Sequence, residues 1–188
     1  MGTIKLVILD RDGTLNHRSE AFITAPEEWV PVPGALDAVA RLNHAGFHVV
    51  IATNQTGLGR GLFDVVSLNA IHARMHKLLA AVGGRIDAVF YCPHGPEESC
   101  QCRKPLPGLF EQIGERFGMD LQGVAACGDN LEHLLAGAAA GCEPHLLLSG
   151  PSAGLHVPLP AEFPDATQGH ASLGAFADFM IARDAVTA

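Results

Sequence analysis

The chain has 188 residues, 48% of them hydrophobic, so one domain with a substantial buried core can form. The formal net charge is −8 at pH 7 and the 12 lysines and arginines are dispersed, which disfavours a nucleic-acid partner. No apolar stretch approaches the roughly 18 residues that cross a membrane, and the N-terminal apolar run is too short for a signal segment, so we expect a cytoplasmic monomer without a membrane partner.

Short, nearly continuous apolar runs alternate with helical patterns, as in a parallel sheet covered by helices on both faces. Strands are predicted over residues 4–9, 47–52, 87–91, 123–127 and 144–148. Helices are predicted over residues 33–46, 65–82, 107–117, 131–140 and 172–181. The pattern therefore predicts a single doubly wound α/β domain over residues 1–188, with the tail, residues 150–188, packed on it.

Two carboxylates follow the first predicted strand in the segment "LDRDGTLN", at Asp10 and Asp12. One carboxylate can attack phosphorus as a nucleophile, while the other protonates the leaving oxygen and later deprotonates water. The alternative is ordinary turn chemistry, in which Asp10 only caps a loop. No large insertion follows Asp12 or Asn54, so we expect an open-topped site without a cap domain.

Further polar residues stand at the same carboxyl edge of the predicted sheet, where open α/β sheets bind ligands. Thr53 can donate to a phosphoryl oxygen, Lys104 supplies a compact cation, and Asp129 can bind Mg²⁺ together with Asp10. Asn54 is predicted to orient the acid aspartate. The alternatives are a strand-end turn for the threonine and asparagine, a solvated charge for the lysine, and a helix N-cap for Asp129. Their joint occurrence favours a phosphoryl-transfer site.

The segment "CPHGPEESCQC" has the spacing C-x-H-x(5)-C-x-C. Three thiolates and an imidazole fill all four positions of a tetrahedral Zn²⁺, whereas a catalytic zinc keeps one position open. We therefore predict a structural zinc that holds the next two residues, Arg103 and Lys104, in place. The predicted ligands are Cys92, His94, Cys100 and Cys102.

Other candidate residues have simpler interpretations. Cys127 and Cys142 lie in apolar surroundings and are predicted to be small buried hydrophobes. His72 and His76 form an i, i+4 pair, but no acidic residue follows His72 as in a metalloprotease, so a solvated helix face is predicted. Arg60 lies in a glycine turn, where a substrate contact and an exposed charge have similar weight.

Over residues 4–149 the chain resembles the haloacid dehalogenase superfamily of phosphatases, because it contains D-x-D-G-T, Thr-Asn, Lys and Gly-Asp in that order. Within that superfamily, the chain resembles the D-glycero-D-manno-heptose 1,7-bisphosphate 7-phosphatase family. Three segments carry this resemblance: "DRDGTLN", "TNQTGLGRG" and "CPHGPEESCQCRKPLPG". Histidinol-phosphate phosphatases are similar, including the zinc-loop spacing, and remain an alternative. An alternative of another class is a non-enzymatic, zinc-clipped binding module. Many superfamily members have a carboxylate four positions after the Gly-Asp aspartate, where this chain has His133.

The resemblance implies a Mg²⁺-dependent phosphatase that removes the 7-phosphate of the heptose bisphosphate through an aspartyl-phosphate intermediate, supplying heptose for bacterial surface glycans. It implies Asp10 as nucleophile and Asp12 as acid and base, with Thr53 and Lys104 on the phosphoryl oxygens. Arg103 would recognise the second phosphate. The implied Mg²⁺ ligands are Asp10, the main-chain carbonyl of Asp12, and Asp129. The further substrate-binding residues are Arg18, Ser19, Glu20, Ala21, Asn54, Gln55, Thr56, Arg60 and Asn130.

Overall fold

The structure, a computed structural model, describes residues 4–187. Within them, six parallel strands form one sheet in the order β3-β2-β1-β4-β5-β6. The strands are β1 (Leu6–Leu9), β2 (His48–Asn54), β3 (Ala88–Cys92), β4 (Ala125–Gly128), β5 (Glu143–Leu147) and β6 (Gln168–His170). The α-helices are α1 (Ala35–His44), α2 (Thr56–Gly59), α3 (Val65–Ala81), α4 (Gly108–Phe117), α5 (Leu131–Ala139) and α6 (Leu173–Thr187).

The sheet is covered on both faces because successive side chains of a strand point to opposite sides. Val7 and Leu9 of β1 pack with buried residues of α1, α3 and α6. Leu6 and Ile8 of the same strand pack with buried residues of α4 and α5. The predicted doubly wound α/β fold is therefore confirmed.

Polar caps fix where two of the helices begin. The Asp64 carboxylate accepts a hydrogen bond of 2.8 Å from the backbone N–H of Ser67 at the start of α3. The Asn130 side chain accepts one of 3.1 Å from the backbone N–H of His133 at the start of α5. The second cap places Asn130 beside the carboxyl end of β4.

The structure differs from the sequence prediction at two strands. β2 runs to Asn54, so Thr53 and Asn54 are the last two residues of the strand instead of following it. β6 was not predicted, because its three residues, Gln168–His170, contain no apolar run. It pairs with β5 and leads into α6, whose Phe176 is fully buried.

The carboxyl edge of the sheet is open. Between Asp12 and α1 the helical structure is limited to a 3-10 turn at Pro26–Glu28, and between Asn54 and α3 to the short α2. No cap domain is present in this part of the described chain, as predicted. Within residues 4–187, no helix combines the length and the hydropathy needed to cross a membrane.

Candidate active site

The predicted catalytic side chains meet at the carboxyl edge of neighbouring strands. Asp10 follows β1, Asp129 follows β4, and Thr53 lies near the end of β2, with β1 paired to both other strands. Asp10 and Thr53 border a cavity of ≈ 370 Å³. The cavity is lined by Asp10, Asp12, Arg18, Thr53, Asn54, Lys104, Asn130, Glu132 and Pro151.

Lys104 is buried against Asp10. Its Nζ donates to Asp10 Oδ2 over 2.9 Å and its side chain is 2% exposed, so the alternative of a solvated surface charge is wrong. Burial raises the pKa of Asp10, but the Lys104 ammonium and a hydrogen bond from Asn130 outweigh it and hold that pKa well below its usual range. Asp10 is therefore an ionised carboxylate at neutral pH, as a nucleophile requires.

Asp129 is a second buried carboxylate beside the first. The Asn130 amide donates to Asp10 Oδ2 over 2.8 Å and to Asp129 Oδ1 over 3.0 Å. Burial raises the pKa of Asp129, and the nearby Asp10 charge adds to that effect. Asp129 Oδ2 has no hydrogen-bond partner among the described residues. Two adjacent buried carboxylates with one unsatisfied oxygen form a strongly cation-seeking site.

The backbone around Asp129 is shaped to admit its carboxylate. Gly13 has φ +83°, and a Cβ at that position would lie 2.1 Å from Asp129 Oδ2. The guanidinium of Arg18 donates through Nη2 to Asp129 Oδ1 over 2.7 Å and to the main-chain oxygen of Asp12 over 3.2 Å. A cationic group thus already contacts two of the oxygens predicted to hold Mg²⁺. The donor set of hard oxygens fits that ion.

Asp12 is held by three side chains, none of which the sequence argument assigned to it. Arg11 Nη2 donates to both carboxylate oxygens over 2.9 and 3.1 Å. Asn16 Nδ2 donates to Oδ1 over 2.9 Å, and Gln55 Nε2 donates to Oδ2 over 3.1 Å. These contacts fix the orientation of the predicted acid toward the cavity.

The prediction that Asn54 orients Asp12 is wrong. The Asn54 amide instead brackets the backbone of Lys104: it donates to Lys104 O over 3.1 Å and accepts from Lys104 N over 3.0 Å. Thr53 accepts a hydrogen bond of 2.9 Å from Gln55 Nε2. The end of β2 therefore positions Lys104 through Asn54, and the next residue, Gln55, contacts Asp12.

His72 is not on a solvated helix face, and that prediction is also wrong. Its side chain is buried, and its Nε2 lies 3.1 Å from Nη1 of the fully buried Arg11. Burial and the Arg11 charge lower the pKa of His72 to about 4, so the ring is neutral and can accept from the arginine. His76, one turn later, is exposed as predicted.

A second cavity of ≈ 220 Å³ adjoins the first. Arg103 faces it, and its Nη1 donates to Thr56 Oγ1 over 2.6 Å and to the carbonyl oxygen of His94 over 3.3 Å. Asp12, Arg18, Asn54 and Glu132 line both cavities. The other lining residues of the second are Ser19, Phe22, Ile23, Gln55, Thr56 and Arg103.

Three predicted substrate residues do not line either cavity. Glu20 and Ala21 are exposed, and the Ala21 backbone N–H donates to Ser19 Oγ over 3.2 Å. Arg60 lies with Nη2 4.0 Å from Glu97 Oε1. The structure brings the remaining predicted substrate residues to the cavities.

The four predicted zinc ligands lie together, and all their donor atoms fall within 4.8 Å of one another. Cys92 Sγ is 3.8 Å from Cys100 Sγ and 3.4 Å from His94 Nδ1, and Cys102 Sγ is 3.3 Å from the same nitrogen. Tetrahedral zinc with bonds of about 2.0–2.3 Å separates its ligands by about 3.5–3.8 Å. The cluster therefore fits a closed zinc site. Cys127 and Cys142 are buried outside it, as predicted.

Comparisons with known proteins agree with this geometry. The polynucleotide kinase 3 phosphatase family model matches residues 5–153. A D-glycero-beta-D-manno-heptose-1,7-bisphosphate 7-phosphatase of Bordetella bronchiseptica is 56% identical over 147 residues, 78% of this chain and 82% of the relative. The protein of that name from Neisseria meningitidis serogroup A is 40% identical over 182 residues, 97% of each chain. This chain belongs to the heptose-1,7-bisphosphate 7-phosphatase family.

A solved member of the heptose-1,7-bisphosphate 7-phosphatase family has the same fold. The crystal structure of the D,D-heptose 1,7-bisphosphate phosphatase from B. bronchiseptica, complexed with magnesium and phosphate, has a TM-score of 0.91 and 48% identity. The likeness covers 96% of this chain and 99% of that one. The resemblance to this family within the haloacid dehalogenase superfamily is therefore confirmed, as is the prediction that the chain is a phosphatase.

Several residues of the site were assigned no role from the sequence. Arg11 and His133 are fully buried beside the catalytic groups, and Glu132 lines both cavities. Position 11 stands between two aspartates, where an arginine typically extends into solvent. The burial of these side chains depends on strands and helices that are distant in sequence, so no local pattern indicates it.

Proposed function

We propose that the chain removes the 7-phosphate of D-glycero-beta-D-manno-heptose 1,7-bisphosphate in the cytoplasm, as part of heptose supply for surface glycans. The main observation in support is the pair of adjoining cavities, each with a cation of its own. Lys104 lies in the first beside Asp10, and Arg103 lies in the second. A bisphosphate has a reacting and a non-reacting phosphate, and each needs a positive partner.

In the proposed reaction, an Asp10 oxygen attacks phosphorus as the bond from phosphorus to the sugar oxygen breaks. Asp12 gives its proton to that leaving oxygen. Asp12 then takes a proton from water, whose oxygen attacks phosphorus and releases Asp10 together with inorganic phosphate. Thr53 and Lys104 hold the phosphoryl oxygens during both steps. Asp10, the Asp12 carbonyl and Asp129 would bind Mg²⁺, which neutralises charge on the phosphoryl group.

The second cavity would hold the sugar and its 1-phosphate. Arg103 presents a planar guanidinium that hydrogen bonds to Thr56 and to the His94 carbonyl fix in place. Arg18, Ser19 and the amides of the β2 end border the same space. Glu20, Ala21 and Arg60 line neither cavity, so the proposed reaction gives them no contact with the substrate.

We also propose that the whole chain forms one domain that acts as a monomer on a small phosphorylated sugar. Residues 150–188 would pack on that domain without chemistry of their own. The burial of Phe176, Ala177 and Met180 of α6 in the same core as β1 supports this view.

The proposal is tested by steady-state turnover with Mg²⁺ on heptose 1,7-bisphosphate, histidinol phosphate and a simple aryl phosphate. We expect the highest kcat/KM for the heptose bisphosphate. A preference for histidinol phosphate would indicate instead that the chain is a phosphatase of histidine biosynthesis. Turnover at background for all three substrates would favour the non-enzymatic binding module.

A further inference from the structure

His133 is a fully buried residue to which the proposed reaction gives no part. Its Nδ1 lies 3.0 Å from Nζ of Lys104, and it is 3.9 Å from the nucleophile Asp10. The residue stands on the first turn of α5, next to the helix cap Asn130. The residue therefore lies between Lys104 and the hydrophobic core.

The hydrogen bonds of the Lys104 ammonium determine which nitrogen of His133 carries the proton. Nζ has three N–H groups and three nearby acceptors: Asp10 Oδ2 at 2.9 Å, the Ala52 carbonyl oxygen at 2.8 Å and His133 Nδ1 at 3.0 Å. An ammonium cannot accept a hydrogen bond, so Nδ1 must be the acceptor. The ring proton of His133 is therefore on Nε2.

The ring is fixed in this position by its surroundings. It packs edge to face on Phe110, with ring centroids 5.2 Å apart and an interplanar angle of 62°. On another side it approaches Gly128 so closely that a Cβ there would lie 3.0 Å from its Cδ2 atom. The backbone of His133 is held by the 3.1 Å hydrogen bond to Asn130. His133 thus offers a rigid acceptor.

Two of the three acceptors belong to the scaffold, and the third is the reacting carboxylate. Ala52 O and His133 Nδ1 determine where the ammonium stands, which leaves the third N–H directed at Asp10. A donor ordered in advance at the point where charge develops is an effective electrostatic catalyst. A carboxylate, which many superfamily members have at this position, could hold the ammonium as well. A neutral imidazole holds it and leaves the charge available.

We propose that His133 is a positioning residue, whose unprotonated Nδ1 fixes the Lys104 ammonium against Asp10 without neutralising it. The inference rests on the proposed function, because Lys104 must act on the transferring phosphoryl group. His133 itself touches neither the substrate nor the reacting atoms.

Three substitutions separate the hydrogen bond from packing and from charge. His133→Asn keeps a neutral acceptor near the position of Nδ1, His133→Phe keeps a ring without an acceptor, and His133→Asp keeps an acceptor but adds a negative charge. We expect kcat to fall by about 10–10² in the phenylalanine variant, the cost of a misplaced catalytic group. The aspartate variant keeps an acceptor, and its kcat should fall much less. The asparagine variant should recover most of kcat. KM should change much less than kcat in each case.

His145→Phe is the matched control, because His145 is an equally buried histidine on β5. It should keep kcat near that of the wild type. A folded His133→Phe variant with wild-type kcat would overturn the proposal, as would an asparagine variant no more active than the phenylalanine variant. If the phenylalanine variant does not fold, the asparagine variant decides, because a loss of kcat of about 10–10²-fold in a folded protein that keeps the acceptor would overturn the proposal.

A measurement independent of turnover is ¹⁵N NMR of the histidine rings in the wild-type protein. We expect the His133 signal of an unprotonated Nδ1 and a protonated Nε2, and a proton on Nδ1 would refute the proposal. Absence of turnover on every phosphate ester would contradict the proposed function instead. The NMR result would still decide whether His133 accepts from Lys104.

Discussion

Asp10 is the side chain on which the proposed chemistry depends most directly. Its carboxylate is kept ionised by Lys104, and an amide at this position has no charge with which to attack phosphorus. We expect Asp10→Asn to abolish turnover, while Asp12→Asn should lower kcat by about 10²–10⁴, the usual contribution of a positioned general acid. Steady-state kinetics and thermal unfolding of both variants provide the measurement.

A crystal structure with beryllium fluoride and Mg²⁺ tests the same assignment without turnover. The fluoride species should lie against an oxygen of Asp10. A position against Asp129 would show that the wrong aspartate has been assigned as nucleophile.

Arg103 should distinguish a bisphosphate from a monophosphate. Its guanidinium faces the second cavity, away from the Asp10–Lys104 pair. We expect Arg103→Ala to raise KM for a sugar bisphosphate about tenfold or more, as is usual when a bidentate charged contact is lost. KM for a small aryl monophosphate should scarcely change. Arg60→Ala is the matched control, and equal losses on both substrates would place Arg103 at the reacting phosphate.

The sequence was sufficient to predict which polar residues meet at one edge of the sheet. Asp10, Thr53 and Asp129 stand at strand ends, which a parallel sheet brings to the same edge. Lys104 follows in the loop after β3. The contacts of Asn54 and His72 were predicted incorrectly. An amide can bond to several neighbours, and a histidine on a helix can face the core or solvent, so only the packed neighbours decide.

The predicted zinc loop leads directly into two cations, Arg103 and Lys104. Cys102 precedes Arg103 directly, and the carbonyl of the ligand His94 accepts a hydrogen bond from the Arg103 guanidinium. We expect Cys100→Ser to weaken zinc binding and to lower kcat/KM by about 10²–10³, because Lys104 loses its ordered position. Mg²⁺ affinity should stay close to that of the wild type. Metal analysis after dialysis and Mg²⁺ titration provide the measurements.

Cys142→Ala is the control for this loop variant, since Cys142 is buried far along the chain from the four ligands. It should retain one zinc per chain. Zinc that exchanges freely in the wild type, or a fourth ligand from water or substrate, would contradict a structural zinc.

At the level of elements, the apolar runs were enough to predict five of the strands in the described chain. β6 could not be predicted, because Gln168–His170 becomes a strand only by pairing with β5 and packing under α6. The end of β2 was predicted two residues short for a similar reason. Thr53 and Asn54 prolong that strand because they pair with Tyr91 and Cys92 of β3, which no periodicity shows.

The stability of the whole molecule should decrease on acidification, because it buries neutral histidines in separate parts of the fold. Burial lowers the pKa of His145 to about 4, and the neighbouring His170 and Arg183 also act to lower it. Glu143 acts in the opposite direction. The unfolded chain binds the proton near the ordinary value of about 6.5. Unfolding therefore takes up a proton between these values, and stability falls as the pH falls through that window.

We expect the neighbouring histidines His145 and His170 together to account for a loss of about 2 kcal/mol in the free energy of unfolding between pH 7 and pH 5. Denaturant unfolding at both pH values measures it. His145→Leu should show a correspondingly smaller pH dependence, whereas replacing the exposed His76 by glutamine should leave it unchanged. Identical pH dependence in the wild type and the leucine variant would show that His145 does not bury a neutral ring.

Gly13 is required at the acidic edge of the sheet for its backbone conformation and its lack of a side chain. Its backbone has φ +83°, and the space of a single methyl group is already filled by the Asp129 carboxylate. Alanine would have to displace that carboxylate as well as adopt an unfavourable backbone conformation. When all amino acids are tested at position 13, we expect glycine alone to yield active enzyme, measured by selecting a saturation library for phosphatase activity. The most restricted position in the site would then be one that contributes no functional group at all.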